Sequence, residues 1–248
     1  MSQRVLSQAS QGAESNAAPR FVFRPLTAPG RRRFSSFADL SGTNWTTGRK
    51  LIAALRPWRD KPSGVVLDVG CGDSPFRAFF PATTYCGFDR GAGADVIADI
   101  SSIPAKSGCA DIVLLFHVLG DLERPSETLR EIHRVLKPGG RALILESTCY
   151  PPHDLPYDFY RFMPNGLNSL AAREGLQLDK FTWLGGLFTR FASLINKFLL
   201  ARLTMIPGLN LVAMALIILV NLLCVIGDRV TRSERLAESY LAEFVHGE

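Results

Sequence analysis

Between Leu203 and Gly227 the chain runs for about 25 residues without a charged side chain, through the block Leu211-Val212-Ala213-Met214-Ala215-Leu216-Ile217-Ile218-Leu219-Val220. About 20 apolar helical residues cross the hydrocarbon of a bilayer, so this stretch must be covered by lipid or by a large protein surface. Just upstream, Leu187, Phe188, Phe191, Leu194, Ile195, Phe198 and Leu199 form a helical apolar face, while Arg190, Lys197 and Arg202 fall elsewhere. That is the pattern of an interfacial amphipathic helix. Pro207-Gly208 separates the two pieces as a turn, and the region reads as a helical hairpin. The other reading is a buried helix pair in a larger core, but no further element is left over to cover so much surface.

This run explains an oddity of composition. The 248 residues carry 28 basic and 23 acidic side chains, yet mean hydropathy is +0.11, so the apolar residues are concentrated rather than spread. At about 150 residues per domain the length makes one ordinary domain plus a remainder of roughly a hundred. Residues 1–33 read as a flexible basic arm: Ser2 to Ala18 is polar, and Arg31-Arg32-Arg33 closes it. The arm lacks the apolar run of a secretory signal. Five scattered cysteines without a Cys-x-x-Cys pair argue against a disulfide framework and against zinc, and for a reducing compartment; no metal is expected. The net charge of +5 sits on the arm and around the apolar segment, which suits an anionic lipid surface better than nucleic acid.

The rest of the chain alternates short apolar runs with amphipathic stretches. A mixed segment from Ser35 to Trp58, with Leu51, Ile52 and Leu55 at helical spacing, predicts one or two helices ending before Pro57. Expected strands are Val65–Val69, Tyr85–Phe88, Asp95–Ala98, Ile112–Phe116 and Ala142–Leu145. Before the last of these, Ser126–Leu136 presents Leu129, Ile132, Val135 and Leu136 on one helical face, and Lys137-Pro138-Gly139-Gly140 reads as a helix stop and turn. Continuous apolar strands separated by helices make a parallel sheet covered on both faces.

The chemistry lies in Val65-Val66-Leu67-Asp68-Val69-Gly70-Cys71-Gly72-Asp73-Ser74-Pro75, a buried strand entering a glycine turn. Gly70 and Gly72 let the backbone approach a ligand, at the carboxyl edge of the sheet where such folds bind ligands. Asp68 and Asp73 would repel a pyrophosphate. They suit a ligand carrying an ammonium and a sulfonium, S-adenosylmethionine rather than NAD. Asp89, after the second strand and followed by Arg90, can accept both hydrogen bonds of a ribose diol. Asp99 can accept from an adenine amino group while Ile100 packs on the ring.

Taken together, these features resemble a class I S-adenosylmethionine-dependent methyltransferase, of the type 11-like kind associated with bacterial glycan assembly. The resemblance covers about Ser63 to Thr148, and includes Ala110-Asp111-Ile112-Val113 before strand four and Leu136-Lys137-Pro138-Gly139-Gly140 before strand five. It implies a Rossmann-like, seven-stranded, mostly parallel sheet with helices on both faces. It also implies a cofactor site of Asp68, Gly70, Cys71, Gly72, Asp89, Arg90, Asp99, Ile100, Phe116 and His117. The chain departs from the pattern at Ser74, where many members have a third glycine, and at Gly120-Asp121, where many relatives have Glu-His. The second departure leaves open which residue after strand four touches cofactor or acceptor.

A second cluster follows strand five: Tyr150-Pro151-Pro152-His153-Asp154-Leu155-Pro156-Tyr157-Asp158-Phe159-Tyr160-Arg161-Phe162. Such a loop at the carboxyl edge sits over the donated methyl group. His153, Asp154, Tyr157 and Asp158 are the catalytic candidates, able to orient a hydroxyl and take its proton. The alternative is a structural loop in which Asp158 and Arg161 form an ion pair.

Asn165–Gly175 then reads as a helix, Leu176–Leu184 as a strand and Glu238–Val245 as the final strand. The expected division is an arm (1–33), a methyltransferase domain (34–183), a hydrophobic helical insert (184–232) and the last strand (233–248). If both last strands belong to one cytoplasmic sheet, the insert must leave and return on the same side of the membrane. It would then be re-entrant or in-plane, with Arg190, Lys197, Arg202, Arg229, Arg232 and Arg235 near head groups at the cytoplasmic face of the inner membrane. A lone crossing remains open if the final segment lies outside the sheet. The function expected is methyl transfer to a hydroxyl of a lipid-linked sugar or glycan intermediate. The alternatives are a quinone or other lipophilic acceptor, and a non-catalytic cofactor-binding membrane module. Oligomeric state is left open.

Overall fold

The computed structural model describes residues 44–59, 63–153, 155–203, 208–231 and 233–247. The expected basic arm, the segment before Asn44, Asp154 and Arg232 lie outside the described residues. The chain begins with helix α1 (Trp45–Arg59), then strands β1 (Ser63–Val69), β2 (Ala82–Asp89), β3 (Val96–Ile97) and β4 (Ala110–Phe116). Helix α2 (Pro125–Val135), β5 (Leu136–Ser147), α3 (Pro164–Arg173) and β6 (Leu176–Leu184) follow, then helices α4 (Leu187–Leu203) and α5 (Asn210–Thr231), and β7 (Ser239–His246). The seven strands form one sheet in the order β3-β2-β1-β4-β5-β7-β6, parallel except for β7, which runs antiparallel to both neighbours.

The period-2 geometry of a strand explains why these runs need covering on both faces. Leu67, Val69, Val113, Leu115 and Ile144 face one way and meet Leu129, Ile132 and Val135 of α2. Val66, Ile112, Leu114, Leu143 and Leu145 face the other and meet Leu51 and Leu55 of α1. The strongly apolar strands therefore occupy the middle of the sheet.

Local structure departs from the sequence pattern in three places. Helix α1 continues two residues past Pro57, whose ring falls within the last turn. Lys137-Pro138-Gly139-Gly140 is not a turn between elements but part of β5. There Ala110 pairs with Leu136 and Ile112 with Arg141, so the intervening residues bulge outward, with Gly139 at φ +74°. Lys137 Nζ holds the bulge down on both oxygens of Asp111, at 2.7 and 2.8 Å. The third strand is only Val96–Ile97, because Asp95 turns inward to accept from Gly87 N at 2.9 Å and from Arg77.

The β6–β7 ladder closes at Leu184 opposite Ser239, and the two helices α4 and α5 are inserted between these paired ends. Asp228 near the end of α5 accepts from Phe188 N at 2.9 Å and Thr189 N at 3.2 Å, capping the start of α4. Midway, Asn196 Nδ2 donates to Asn221 Oδ1 at 2.8 Å, with both side chains fully buried. The helices thus lie antiparallel. Arg190 and Lys197, expected among head groups, instead face the sheet domain. Arg190 donates to Ala237 O at 3.0 Å and to Thr148 Oγ1 at 3.2 Å, and Lys197 Nζ sits 3.8 Å over the Tyr150 ring. They bridge insert and domain because backbone carbonyls and an aromatic face lie within reach there.

Candidate active site

The carboxyl edge of β1 turns through Gly70 and Gly72, whose backbones lie at φ +73° and +50°. Gly70 N and Cys71 N both donate to Phe88 O, at 2.8 and 3.1 Å, which folds the loop over the end of β2. A Cβ on Gly70 would fall 2.4 Å from Val118 Cγ2, whereas the space over Gly72 is open. Ser74, where a third glycine was expected, also holds a left-handed backbone at φ +52°. The departure is thus one of residue type, not of conformation.

Asp89 stands against this loop. Its Oδ2 accepts from Gly72 N at 2.8 Å and its Oδ1 from Gly91 N at 2.8 Å. A carboxylate accepts about four hydrogen bonds, so capacity remains for a diol. Asp99 accepts from Ser101 N at 2.9 Å and Ser101 Oγ at 2.8 Å, and pairs with Arg90 at 3.0 Å; the Ser101 backbone bond first, then the others, hold its carboxyl below the ordinary range. Ile100 is buried in the core, so the aliphatic face expected of it is turned away. Ile97, paired opposite Asp89 in the β2–β3 register and 67% exposed, offers such a face instead.

Asp68 and Cys71 lie deeper. Asp68 is 2% exposed and accepts from Tyr85 Oη at 2.6 Å; burial pushes its carboxyl up to about 7. Arg77 stacks over the Tyr85 ring at 4.5 Å and pairs with Asp95. This buried chain of Asp68, Tyr85, Arg77 and Asp95 supports the glycine loop from below. Burial pushes the Cys71 thiol up to about 12, which leaves it neutral.

Beyond β4, His117 adopts φ +56° and donates from its backbone to Leu145 O at 2.8 Å. It lines a cavity of about 280 Å³ together with Asn44, Asp121, Glu146, Tyr150 and His153. Water reaches the His117 ring, but protein surrounds it at longer range. The surrounding protein, and after it the nearby His153, hold its ring below the ordinary imidazole range. Phe116 is almost buried, edge-on to Phe76 at 4.7 Å.

The loop after β5 is pinned to this cavity through Gly120. Phe159 N and Tyr160 N donate to Gly120 O at 3.0 and 2.9 Å, and a Cβ on Gly120 would sit 2.7 Å from Tyr160 O. Asp158 is committed: both its oxygens take Arg161, and Oδ2 also accepts from His153 N at 3.1 Å. The Arg161 guanidinium holds its carboxyl down at about 2, so Asp158 anchors the loop and takes no proton. Arg161 Nε also donates to Tyr150 O at 2.9 Å. Tyr157 is 58% exposed and does not line the cavity. His153 Nδ1 lies 3.1 Å from Pro151 O, and its Nε2 faces Asp121 Oδ1 at 3.7 Å. Asp121, His153 and Asp158 are close enough to share a metal ion, but Arg161 already occupies Asp158.

Sequence reasoning missed Glu146. Its carboxyl is 5% exposed, accepts from Leu119 N at 3.0 Å, and is pushed up to about 7, by burial above all. The signal was present, since Glu146 stands next to last in an apolar strand at the carboxyl edge, as Asp68 does in β1.

A family model described as a methyltransferase domain matches residues 45–190. The chain belongs to this family of S-adenosylmethionine-dependent methyltransferases. It is 38% identical over 69 residues to the ubiquinone/menaquinone biosynthesis C-methyltransferase of Ruegeria sp., covering 27% of this chain and 28% of that one. Its identity to the same-named protein of Methylobacterium nodulans is 33% over 167 residues, covering 57% of this chain and 64% of that one. The chain therefore spans less than two thirds of either relative. In fold it is similar to phosphoethanolamine N-methyltransferase 2 of Haemonchus contortus in complex with S-adenosyl-L-methionine, at TM-score 0.52 and 14% identity, covering 87% of this chain and 57% of that one. The residues present fit that cofactor: an open cradle over Gly72, an acceptor carboxylate at Asp89 and another at Asp99.

Proposed function

We propose that this protein transfers a methyl group from S-adenosylmethionine to a hydroxyl of a lipid-linked sugar or related glycan intermediate presented at the cytoplasmic face of the inner membrane. One observation carries the reading: the cavity beside the donor loop shares Tyr150 with a helix pair whose outer surface is apolar. Soluble helices bury their large apolar residues. Here α4 buries Thr189, Ala192, Ser193 and Asn196 and exposes Phe191, Leu194, Ile195 and Phe198, and α5 buries Ala213, Ile217, Asn221 and Cys224 while exposing a row of leucines. Small and polar residues between helices, with large apolar ones outside, are the arrangement suited to lipid.

Helix α5 is long and apolar enough to cross a membrane by length and composition, and little of its apolar surface is buried against the rest of the protein. The paired ends of β6 and β7 favour a hairpin that dips into one leaflet and returns. The many hydrogen-bonding groups around the cavity suit a polyhydroxylated acceptor.

Bound S-adenosylmethionine supplies the electrophilic methyl. On this protein's side, His153 Nδ1 lies 3.1 Å from Pro151 O and 3.3 Å from the Arg161 guanidinium; the tautomer assigned is the one that donates to Pro151 O, with the Nε2 lone pair toward Asp121. Nε2 takes the acceptor's hydroxyl proton as the oxygen attacks, and Asp121 stabilises the imidazolium that forms. Arg161 and Asp158 hold the loop in place. A second reading, a quinone-type acceptor, is favoured by the similarity to proteins named for ubiquinone and menaquinone biosynthesis.

The test is incubation with methyl-labelled donor and membrane extract, followed by lipid fractionation. Label in a glycolipid fraction is expected. Label confined to quinones selects the second reading, and no label in any lipid while donor still binds leaves only a non-catalytic module. His153→Gln should lower turnover by about 10²-fold or more without changing donor affinity.

A further inference from the structure

A second cavity, of about 380 Å³, lies where the helix pair meets α1, lined by Thr46, Arg49, Lys50 and Arg229 together with Asp228 and Glu234. It is separate from the acceptor cavity. At about 100° per residue, Thr46, Arg49 and Lys50 share one face of α1, while Thr47, Gly48 and Leu51 line a small cavity around His117 on another.

Three features mark an anion site. Among the described residues, no ion pair engages Arg49, Lys50 or Arg229, although Arg49 lies over the Trp45 ring at 5.3 Å, while Arg124, Arg130 and Arg141 elsewhere on the surface are paired. Of the two carboxylates, Asp228 is occupied by the first turn of α4, and Glu234 is exposed at the rim. Thr46, only 3% exposed, has a buried hydroxyl with no hydrogen-bond partner among the described residues. An unpartnered buried donor costs free energy that a ligand oxygen would recover. The cavity also opens at the first turn of α1, the positive end of the helix dipole, which favours negative charge.

We propose that this cavity binds a phosphate group, and that on the membrane the group comes from an anionic lipid headgroup, seating the apolar helix pair at a fixed depth. Phosphate binding stands without the acceptor reading above; only the lipid source rests on the helix pair meeting a bilayer.

The test uses the full chain, with inorganic phosphate in calorimetry and with vesicles of phosphatidylcholine alone or mixed with phosphatidic acid. Wild type should bind phosphate and prefer the mixed vesicles. Arg49→Gln with Lys50→Gln should weaken phosphate by about tenfold or more and abolish that preference, while Thr46→Val should weaken phosphate severalfold. Arg173→Gln, a distant surface cation, should change neither. Should the double variant fail to fold, judged by donor binding, Arg229→Gln carries the same expectation. Phosphate affinity untouched by these variants, or lost equally in Arg173→Gln, overturns the site. Phosphate binding without vesicle preference keeps the site and assigns it to a free phosphate compound. Loss of all vesicle binding with methyl transfer intact removes the membrane reading alone.

Discussion

Two regions of this molecule are similarly apolar in sequence and opposite in structure. In the sheet domain the large side chains point inward: Phe88, Leu114, Leu129, Leu143 and Phe244 are fully buried between α1 and α2. In the α4–α5 pair they point outward, with Leu211 at 74% and Val230 at 77% exposure, while Asn196 and Asn221 occupy the seam. Hydropathy says that a surface must leave water. Only the packing says whether protein covers it or something else does.

The comparison can be broken most severely in the sheet. Phe88→Ala should cost about 3–5 kcal/mol of unfolding free energy in urea melts, because a rigid core leaves a cavity. A loss below 1 kcal/mol would mean that the core is looser than the buried side chains imply.

A second test uses pH. Burial pushes the Asp68 and Glu146 carboxyls up to about 7. Each keeps its proton in the folded protein at pH values where the unfolded chain has lost it. The contribution of each to stability should therefore be fully present below the ordinary carboxylate range and fall as pH rises toward 7, by up to about 4 kcal/mol for one such group. Urea midpoints between pH 4.5 and 8 measure this, with Glu146→Gln flattening the fall; a variant curve parallel to wild type contradicts the assignment.

The seam of the helix pair comes next. Asn196→Leu or Asn221→Leu alone should cost about 1–3 kcal/mol by stranding the partner amide, while the double change should be milder than the two summed. Additive losses in a double-mutant cycle would show that the amides do not act as a pair. The smallest effect belongs to the outer face: Leu222→Gln should alter stability by less than about 0.5 kcal/mol. Its vesicle binding should nonetheless weaken, and unchanged partitioning in a flotation assay would count against lipid contact there.

Much of the donor half was legible because it is local. An apolar strand, a glycine turn and an acid ending the next strand specify backbone conformation and ligand chemistry within about 25 residues of one another. Ile100 misled, since a side chain beside a site turns toward core or ligand according to packing that sequence spacing does not encode. The acceptor half was located but not resolved. Asp158 and Arg161 form the ion pair considered from sequence, whereas Asp121 and Glu146 enter the cavity from separate elements.

By itself the sequence determined the order of strands and helices, the glycine loop, the acids beside it and the existence of a concentrated apolar segment, all consequences of side-chain periodicity and backbone freedom. The tertiary structure decided which carboxylates are buried and protonated, which cations pair, and that the apolar helices turn their small residues inward. Those properties depend on what lies across a contact from residues far along the chain, and no local pattern carries that information.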